Sequence, residues 1–140
     1  MTAQWSVTPL ARNAPLLVDT NVLIDALRDR LDRRKLLASL AANGYVLTAS
    51  AINVAEVYAG LRIGEELETQ RLLHRFRCIP VTETIAQRAG ALRGGLRRIG
   101  RTHTLDDMIV AATALELGCP LLTENRKDFQ IEGLTLFPLS

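Results

Sequence analysis

Cysteine is scarce in this sequence: Cys78 and Cys119 are the only two in 140 residues. Two are too few for a disulfide framework, and their spacing matches no metal-binding pair. Each lies at the edge of an apolar run and reads as a small buried hydrophobe. A reducing, cytoplasmic compartment is therefore expected. With only two histidines, a zinc site is not expected either. Aromatic residues make up 4%, so platforms for stacking nucleic-acid bases are few. No apolar run approaches the ~18 residues that a membrane-spanning helix needs, and no membrane contact is expected. The first residues, Met1 to Pro9, have neither the basic start nor the apolar block of a secretory signal. Internal repeats and low-complexity stretches are also missing.

What is present has a globular balance. Hydrophobic residues account for 48% and charged residues for 23%, both near the average for folded domains. The length suits one domain, against about 150 residues per domain. A chain of this size buries roughly 68–70% of its unfolded surface, enough for an independent core. The formal charge of +2 says little about partners. Its distribution says more, because Arg88, Arg93, Arg97, Arg98 and Arg101 crowd one stretch, with His103 after them. Guanidinium forks match phosphate oxygens, so Arg93, Arg97, Arg98 and Arg101 are candidates for a phosphate-contacting face. A solvated helix face would give the same pattern.

Residues 1–15 carry Pro9 and Pro15 without sustained periodicity and read as an irregular N-terminal arm, leaving 16–140 as the folded domain. Leu16-Leu17-Val18 is a short buried strand ending at Asp19, and a helix follows with Thr20 or Asn21 as its cap. A second helix runs from Asp32 to Ala42 and stops at Asn43-Gly44. Tyr45 to Thr48 is the second strand. Ser50 caps a helix reaching Leu61, and Glu65 to Arg77 is helical again, with Leu67, Leu72, Leu73 and Phe76 inward. Cys78 to Val81 is the third strand, at an edge because of Pro80. Thr82 opens a helix that Gly94-Gly95 weakens, and Thr104 opens another that Gly118 ends. Pro120 to Thr123 is the fourth strand and Leu134 to Phe137 a short last one. Apolar strands alternating with helices predict a parallel sheet covered on both faces.

In such sheets ligands bind outside the carboxyl ends of the strands, and acids gather there. Asp19 follows the first strand. Thr123-Glu124-Asn125 follows the fourth, with Asp128 a turn later. Glu56 lies in the second turn after the second strand, and Asp106-Asp107 open the helix before the fourth. Separations of 37, 51 and 21 residues along Asp19, Glu56, Asp107 and Asp128 fit one acid per strand–helix unit. Asp19 and Asp107 sit where helix caps would also sit, and Asp128 where a turn would end. Glu56 is too deep in its helix to cap, and its neighbours Ala55 and Val57 are apolar. Two carboxylates ~4 Å apart repel by about 4 kcal/mol at an effective dielectric of ~20. Convergence therefore demands either a protonated acid or a divalent cation. Oxygen ligands favour Mg²⁺ or Mn²⁺, which would generate a hydroxide and stabilise charge on a phosphodiester.

Four segments, taken in order, resemble the motifs of PIN-domain nucleases. They are Leu17 to Asp25 (LVDTNVLID), Asn53 to Gly60 (NVAEVYAG), Asp107 to Ala114 (DMIVAATA) and Leu122 to Phe129 (LTENRKDF). Order, spacing and size are most similar to the VapC toxins of type II toxin–antitoxin pairs, over about residues 16–138. The resemblance implies an α/β/α sandwich with a four- to five-stranded, mainly parallel sheet. It implies an Mg²⁺-dependent endoribonuclease, with Mn²⁺ as a substitute, acting as a toxin that inhibits translation. Asp19, Glu56 and Asp107 carry over as the acidic metal site, Asp107 being the better match of the tandem acids. The fourth acidic position falls on Asn125 or on Asp128, since many relatives have Asp where this chain has Asn125. Thr123 resembles a hydroxyl that orients the site, and Asn21 lies in the first motif beside it. Also implied are a VapB-like antitoxin lying over the site, a homodimer, and an apolar groove among the helices between Asp32 and Arg77. Leu36, Leu40, Leu67, Leu72 and Phe76 serve that groove or the core.

Other classes share parts of the pattern. A haloacid-dehalogenase-like phosphatase also has Asp after the first strand but wants a second Asp two residues on, where this chain has Asn21. A phospho-receiver domain needs an acid pair and a Lys that are not in place. A non-catalytic metal- or RNA-binding module would keep the same acids.

Overall fold

The computed structural model describes residues 13–139. Strands β1 (Ala14–Val18), β2 (Tyr45–Ser50), β3 (Arg77–Ile79) and β4 (Leu121–Leu122) form one parallel sheet in the order β3-β2-β1-β4. Parallel neighbours need crossovers. These are supplied by α1 (Thr20–Leu27), α2 (Arg33–Ala42), α3 (Ala51–Ala59), α4 (Glu66–Leu73), α5 (Glu83–Arg98) and α6 (Leu105–Leu117). A 3-10 turn spans Arg126–Phe129.

Alternation along the strands builds two cores. Leu16 and Val18 of β1, with Leu122 of β4, pack against α1 and α2 through Val22, Leu23, Leu36 and Leu40. Leu17 and Leu121 point the other way, onto α5 and α6 through Ile85, Ala89, Met108 and Ala111. All these residues are buried. Strands covered on both faces read as continuous apolar runs, as these do. The result is the expected α/β/α sandwich.

Helix ends follow their capping chemistry. Asp19, rather than the expected Thr20 or Asn21, caps α1, its side chain accepting from the Thr20 N–H. Ser50 and Asn53 form a reciprocal capping box on α3. Thr82 and Thr104 cap α5 and α6 by accepting from Ile85 and Asp107. Gly118 ends α6 at φ 62°, a left-handed position that glycine takes without a Cβ clash.

Several boundaries differ from expectation. β1 starts at Ala14, so Ala14 and Pro15 belong to the sheet and not to an arm over 1–15. Pairing of Ala14 with Tyr45 fixes them. The remainder of that arm, 1–12, lies outside the described residues. α3 ends at Ala59, with Gly60 as its cap, short of Leu61. α4 stops at Leu73, because Arg77 has joined β3. β3 is the sheet edge, with Pro80 just beyond it. That edge leaves Cys78 exposed, whereas Cys119 is buried. Leu67 is 56% exposed, Leu72 and Phe76 are partly buried, and Leu36 and Leu40 are core. The last strand reduces to one parallel bridge, Leu121 with Leu136, so the sheet has four strands. α5 is continuous through Gly94 and Gly95.

The turn between α1 and α2 is strained. Asp29, Leu31 and Asp32 have φ of 53°, 53° and 55°, a conformation costing about 1–2 kcal/mol for an L-residue. Arginines hold it in place. Arg34 donates to the Ala26 and Leu27 carbonyls at the end of α1, at 3.2 and 3.0 Å. Arg33 donates to the Leu31 carbonyl at 3.3 Å.

A Cβ at Gly95 would meet nothing within 4 Å. Gly95→Ala is expected to stabilise the protein by about 1 kcal/mol through helix propensity, read as a higher urea midpoint with unchanged m. A lower midpoint would show that α5 is not a continuous helix there.

Candidate active site

From β1 the chain steps outward to β2 and β3, then returns to β4 on the other side of β1. The strand order reverses between β1 and β4, and the crevice outside their carboxyl ends is where such sheets bind ligands. Pairing of Val18 with Leu122 sets the next residues side by side. The Asp19 N–H donates to the Leu122 carbonyl at 2.9 Å. Asp19 and Thr123 thus meet across the switch point although 104 residues separate them.

Asp19 is buried, with 4% of its surface exposed. Thr123 Oγ1 donates to its Oδ2 at 2.7 Å and the Thr20 N–H to its Oδ1 at 2.9 Å. Asn53 Nδ2 lies 3.5 Å from the same Oδ1. Burial raises the Asp19 pKa above the usual carboxylate range, the bonds from Thr123 and Thr20 oppose this, and the Asp106 charge adds to the rise. None of the ion pairs among the described residues includes Asp19, Glu56, Asp106 or Asp107.

A relay links Asp19 to Glu56. The Ser50 N–H donates to Asn53 Oδ1 at 3.1 Å, which turns the Asn53 amide inward. Its Nδ2 donates to Thr20 Oγ1 at 2.9 Å. With its acceptor side used, the Thr20 hydroxyl gives its single proton to Glu56 Oε1 at 2.6 Å. Asn53 and Glu56 are three residues apart and share a face of α3.

Glu56 is pushed up to about 7, first by burial, then by its hydrogen bond with Asp106, with Thr20 opposing and the charges of Asp106 and Asp19 adding. That same bond holds Asp106 below its ordinary range. A proton shared between the two carboxyls accounts for both directions. Asp107 is raised by burial, then by the Asp19 charge; Thr104 opposes, and Asp106 and Asp128 add smaller contributions.

The structure therefore brings together Asp19, Glu56, Asp107 and Thr123. Asp128 is exposed on the 3-10 turn, close enough for its charge to reach Asp107. Asn125 is exposed at the head of that turn, and its N–H donates to Thr123 Oγ1 at 3.0 Å. Asn21 accepts from the Glu124 N–H of the loop after β4, at 3.5 Å. Three residues that carry the network were not among the expected ones: Thr20, Asn53 and Asp106. Asn53 had a signal, as it stands three residues after the Ser50 cap.

Among the described residues, no three His, Cys, Asp or Glu side chains converge tightly enough for a ready-made metal cage. Mg²⁺ does not need one, since it is usually held by one or two carboxylates and keeps several waters. An all-oxygen donor set in which burial first, and neighbouring charge second, raises Asp19, Glu56 and Asp107 fits such a hydrated ion, which would offset both.

The PIN domain family model matches residues 16–131. The chain belongs to the PIN-domain family. A relative from Mycobacterium tuberculosis, Ribonuclease VapC10, is 42% identical over 79% of this chain and 82% of its own length. Among solved structures, the VapBC2 complex of Rickettsia felis bound to a promoter DNA fragment is similar at TM-score 0.76. It is 25% identical, covering 90% of this chain and 99% of that one. A toxin-antitoxin complex from Klebsiella pneumoniae is similar at TM-score 0.72 and 31% identity, covering 89% of this chain and 99% of that one. Membership in this family displaces the phosphatase and phospho-receiver alternatives. PIN-domain ribonucleases are generally dependent on a divalent metal.

The arginines of this PIN domain divide into two sets. Arg93 donates to the His103 carbonyl at 3.0 Å and Arg101 to that of Gln130 at 2.8 Å, so both brace loops. Arg88 pairs with Glu116. Arg97 and Arg98 are exposed in the last turn of α5.

Glu56 keeps its proton up to a pH of about 7 when folded, against an ordinary value of 4.5. Unfolding releases that proton between these limits, so stability falls as pH rises through the window. The lowered Asp106 acts only below its ordinary 3.8, outside it. The melting temperature of metal-free protein is expected to drop from pH 5 to pH 8, and Glu56→Gln to flatten the drop. Equal slopes in both proteins would contradict the shared proton.

Proposed function

We propose that this chain is a divalent-metal-dependent endoribonuclease and the toxin of a type II toxin–antitoxin pair that inhibits translation. One observation carries the reading: Asp19, Glu56 and Asp107 gather at the β1–β4 switch point of a PIN domain, and no cation among the described residues pairs with them. Relatives named Ribonuclease VapC and neighbours solved as VapBC complexes support it. The domain is taken to begin near residue 14.

Asp19 and Asp107 would hold Mg²⁺, or Mn²⁺ in its place, with Asn125 or Asp128 completing the set. The ion supplies charge neutralisation at the scissile phosphate and lowers the pKa of water. Glu56 orients a water molecule and takes its proton as the oxygen attacks phosphorus. The bond from phosphorus to the 3′-oxygen breaks, that oxygen takes a proton from solvent, and the products are a 5′-phosphate and a 3′-hydroxyl. Thr20 aims Glu56, and Thr123 aims Asp19. Arg97 and Arg98 are free to meet the RNA backbone, a role Arg93 and Arg101 share less directly.

A groove between α2 and α4 suits an antitoxin segment. Two lobes of about 220 and 250 Å³ share Arg34, Leu72 and Arg75 as lining. Apolar walls with basic rims fit an amphipathic, acidic chain. A homodimer and a cytoplasmic location complete the proposal. No described helix is long and apolar enough to cross a membrane.

The test is cleavage of a structured RNA panel by antitoxin-free protein with Mg²⁺, Mn²⁺ or EDTA. Cutting should need metal, leave 5′-phosphates, and fall by about 10²-fold or more in Asp19→Asn and Asp107→Asn. Asp106→Asn should retain more activity and shift the acid limb of the pH–rate profile downward, because Asn donates to Glu56 without competing for its proton. Metal-independent cutting, or full activity in Asp19→Asn, would overturn the reading and leave a binding module.

A further inference from the structure

Arg33 opens α2, outside every motif that builds the acidic site, yet it is buried, at 7% exposure. Its Nε donates to Glu124 Oε2 at 2.7 Å, and Nη2 lies 2.6 Å from the same oxygen in an ion pair. Nη1 donates to the Leu31 carbonyl of the strained turn. A buried guanidinium held at a carboxylate and a carbonyl has little freedom left.

Glu124 sits between two residues of the site. Thr123 reaches inward to Asp19, and the Asn125 N–H closes onto Thr123 Oγ1. The Glu124 N–H faces Asn21 of α1. Its side chain turns the opposite way, to Arg33. Without Arg33, that carboxylate would be a free negative charge one residue from Asn125. The pair links a strained turn to the loop after β4 across 91 residues of sequence.

We propose that Arg33 is a positioning residue for the active site. Through Glu124 it fixes the loop carrying Thr123 and Asn125, and it keeps the Glu124 carboxylate away from the acids. The inference rests on the nuclease reading for its catalytic consequence, but not for its structural one.

The experiment compares the full chain, free of antitoxin, as wild type, Arg33→Lys, Arg33→Met, Glu124→Gln and the Arg33→Met/Glu124→Gln double variant. Amide hydrogen exchange is followed at Asn125, Mn²⁺ binding by electron paramagnetic resonance, and kcat and KM on RNA well below the melting temperature. In Arg33→Met, Asn125 should exchange at least tenfold faster. Mn²⁺ affinity should change at least threefold, and kcat should fall at least tenfold with KM within twofold. Arg33→Lys should recover part of each loss, and the double variant should be no worse than the more impaired single. A lowered melting temperature with Asn125 exchange, Mn²⁺ affinity and kcat all unchanged would overturn the proposal. If Arg33→Met does not fold, Glu124→Gln decides on the same readouts. If the wild type neither binds Mn²⁺ nor cuts RNA, the nuclease reading fails, and the exchange of Asn125 alone decides the positioning role.

Discussion

Asp19 is a carboxylate buried at the end of a central parallel strand, and no basic side chain among the described residues pairs with it. Burying an unpaired ion costs several kcal/mol even after local relaxation. Three donors from three elements meet that cost in part: Thr20 from α1, Thr123 after β4 and Asn53 from α3. None is a full charge, so the carboxyl remains raised. The architecture around it serves to keep those donors in register. β1 pairs with β4 on one side, and α3 follows directly from β2 on the other.

The same constraint spreads outward. The Asn53 amide, fixed by the α3 cap, sets the direction of the Thr20 hydroxyl, and that hydroxyl sets Glu56. Glu56 in turn meets Asp106 of α6, an encounter that raises the one carboxyl and lowers the other. Three helices and two strand ends are thereby coupled through polar contacts inside an otherwise apolar sandwich. Repulsion among these acids is stability given up for a prepared cation site, the usual trade between stability and activity. Arg33 and Glu124 brace the same region from outside, at a turn that is itself strained.

Much of this was legible in the sequence, because periodicity and capping act locally. The parallel order, the Ser50, Thr82 and Thr104 caps, and the acids at strand ends follow from spacing alone. What escaped depended on contacts between distant segments. Leu134 to Phe137 looks like a strand, but β4 is only two residues long and supports a single bridge. Cys78 looks buried by its neighbours, yet it lies on the sheet edge. Leu67 has the spacing of an inward face, but it lies exposed while Leu72, Leu73 and Phe76 pack on the core. Thr20 and Asn53 each had a sufficient local role, as neighbours of a cap, and their meeting at Glu56 needs the β1–β2 register. Asp106 and Asp107 are adjacent and chemically alike, so only the packing of α6 against α3 shows which one faces Glu56.

The central claim is that the site holds surplus negative charge ready for a divalent cation. Site-resolved carboxyl ¹³C NMR titration of Glu56, with and without Mg²⁺, tests it most directly. Without the ion Glu56 should titrate near 7, and with Mg²⁺ its midpoint should fall toward the ordinary value of 4.5. A midpoint already near that ordinary value without metal, unmoved by Mg²⁺, would contradict the account.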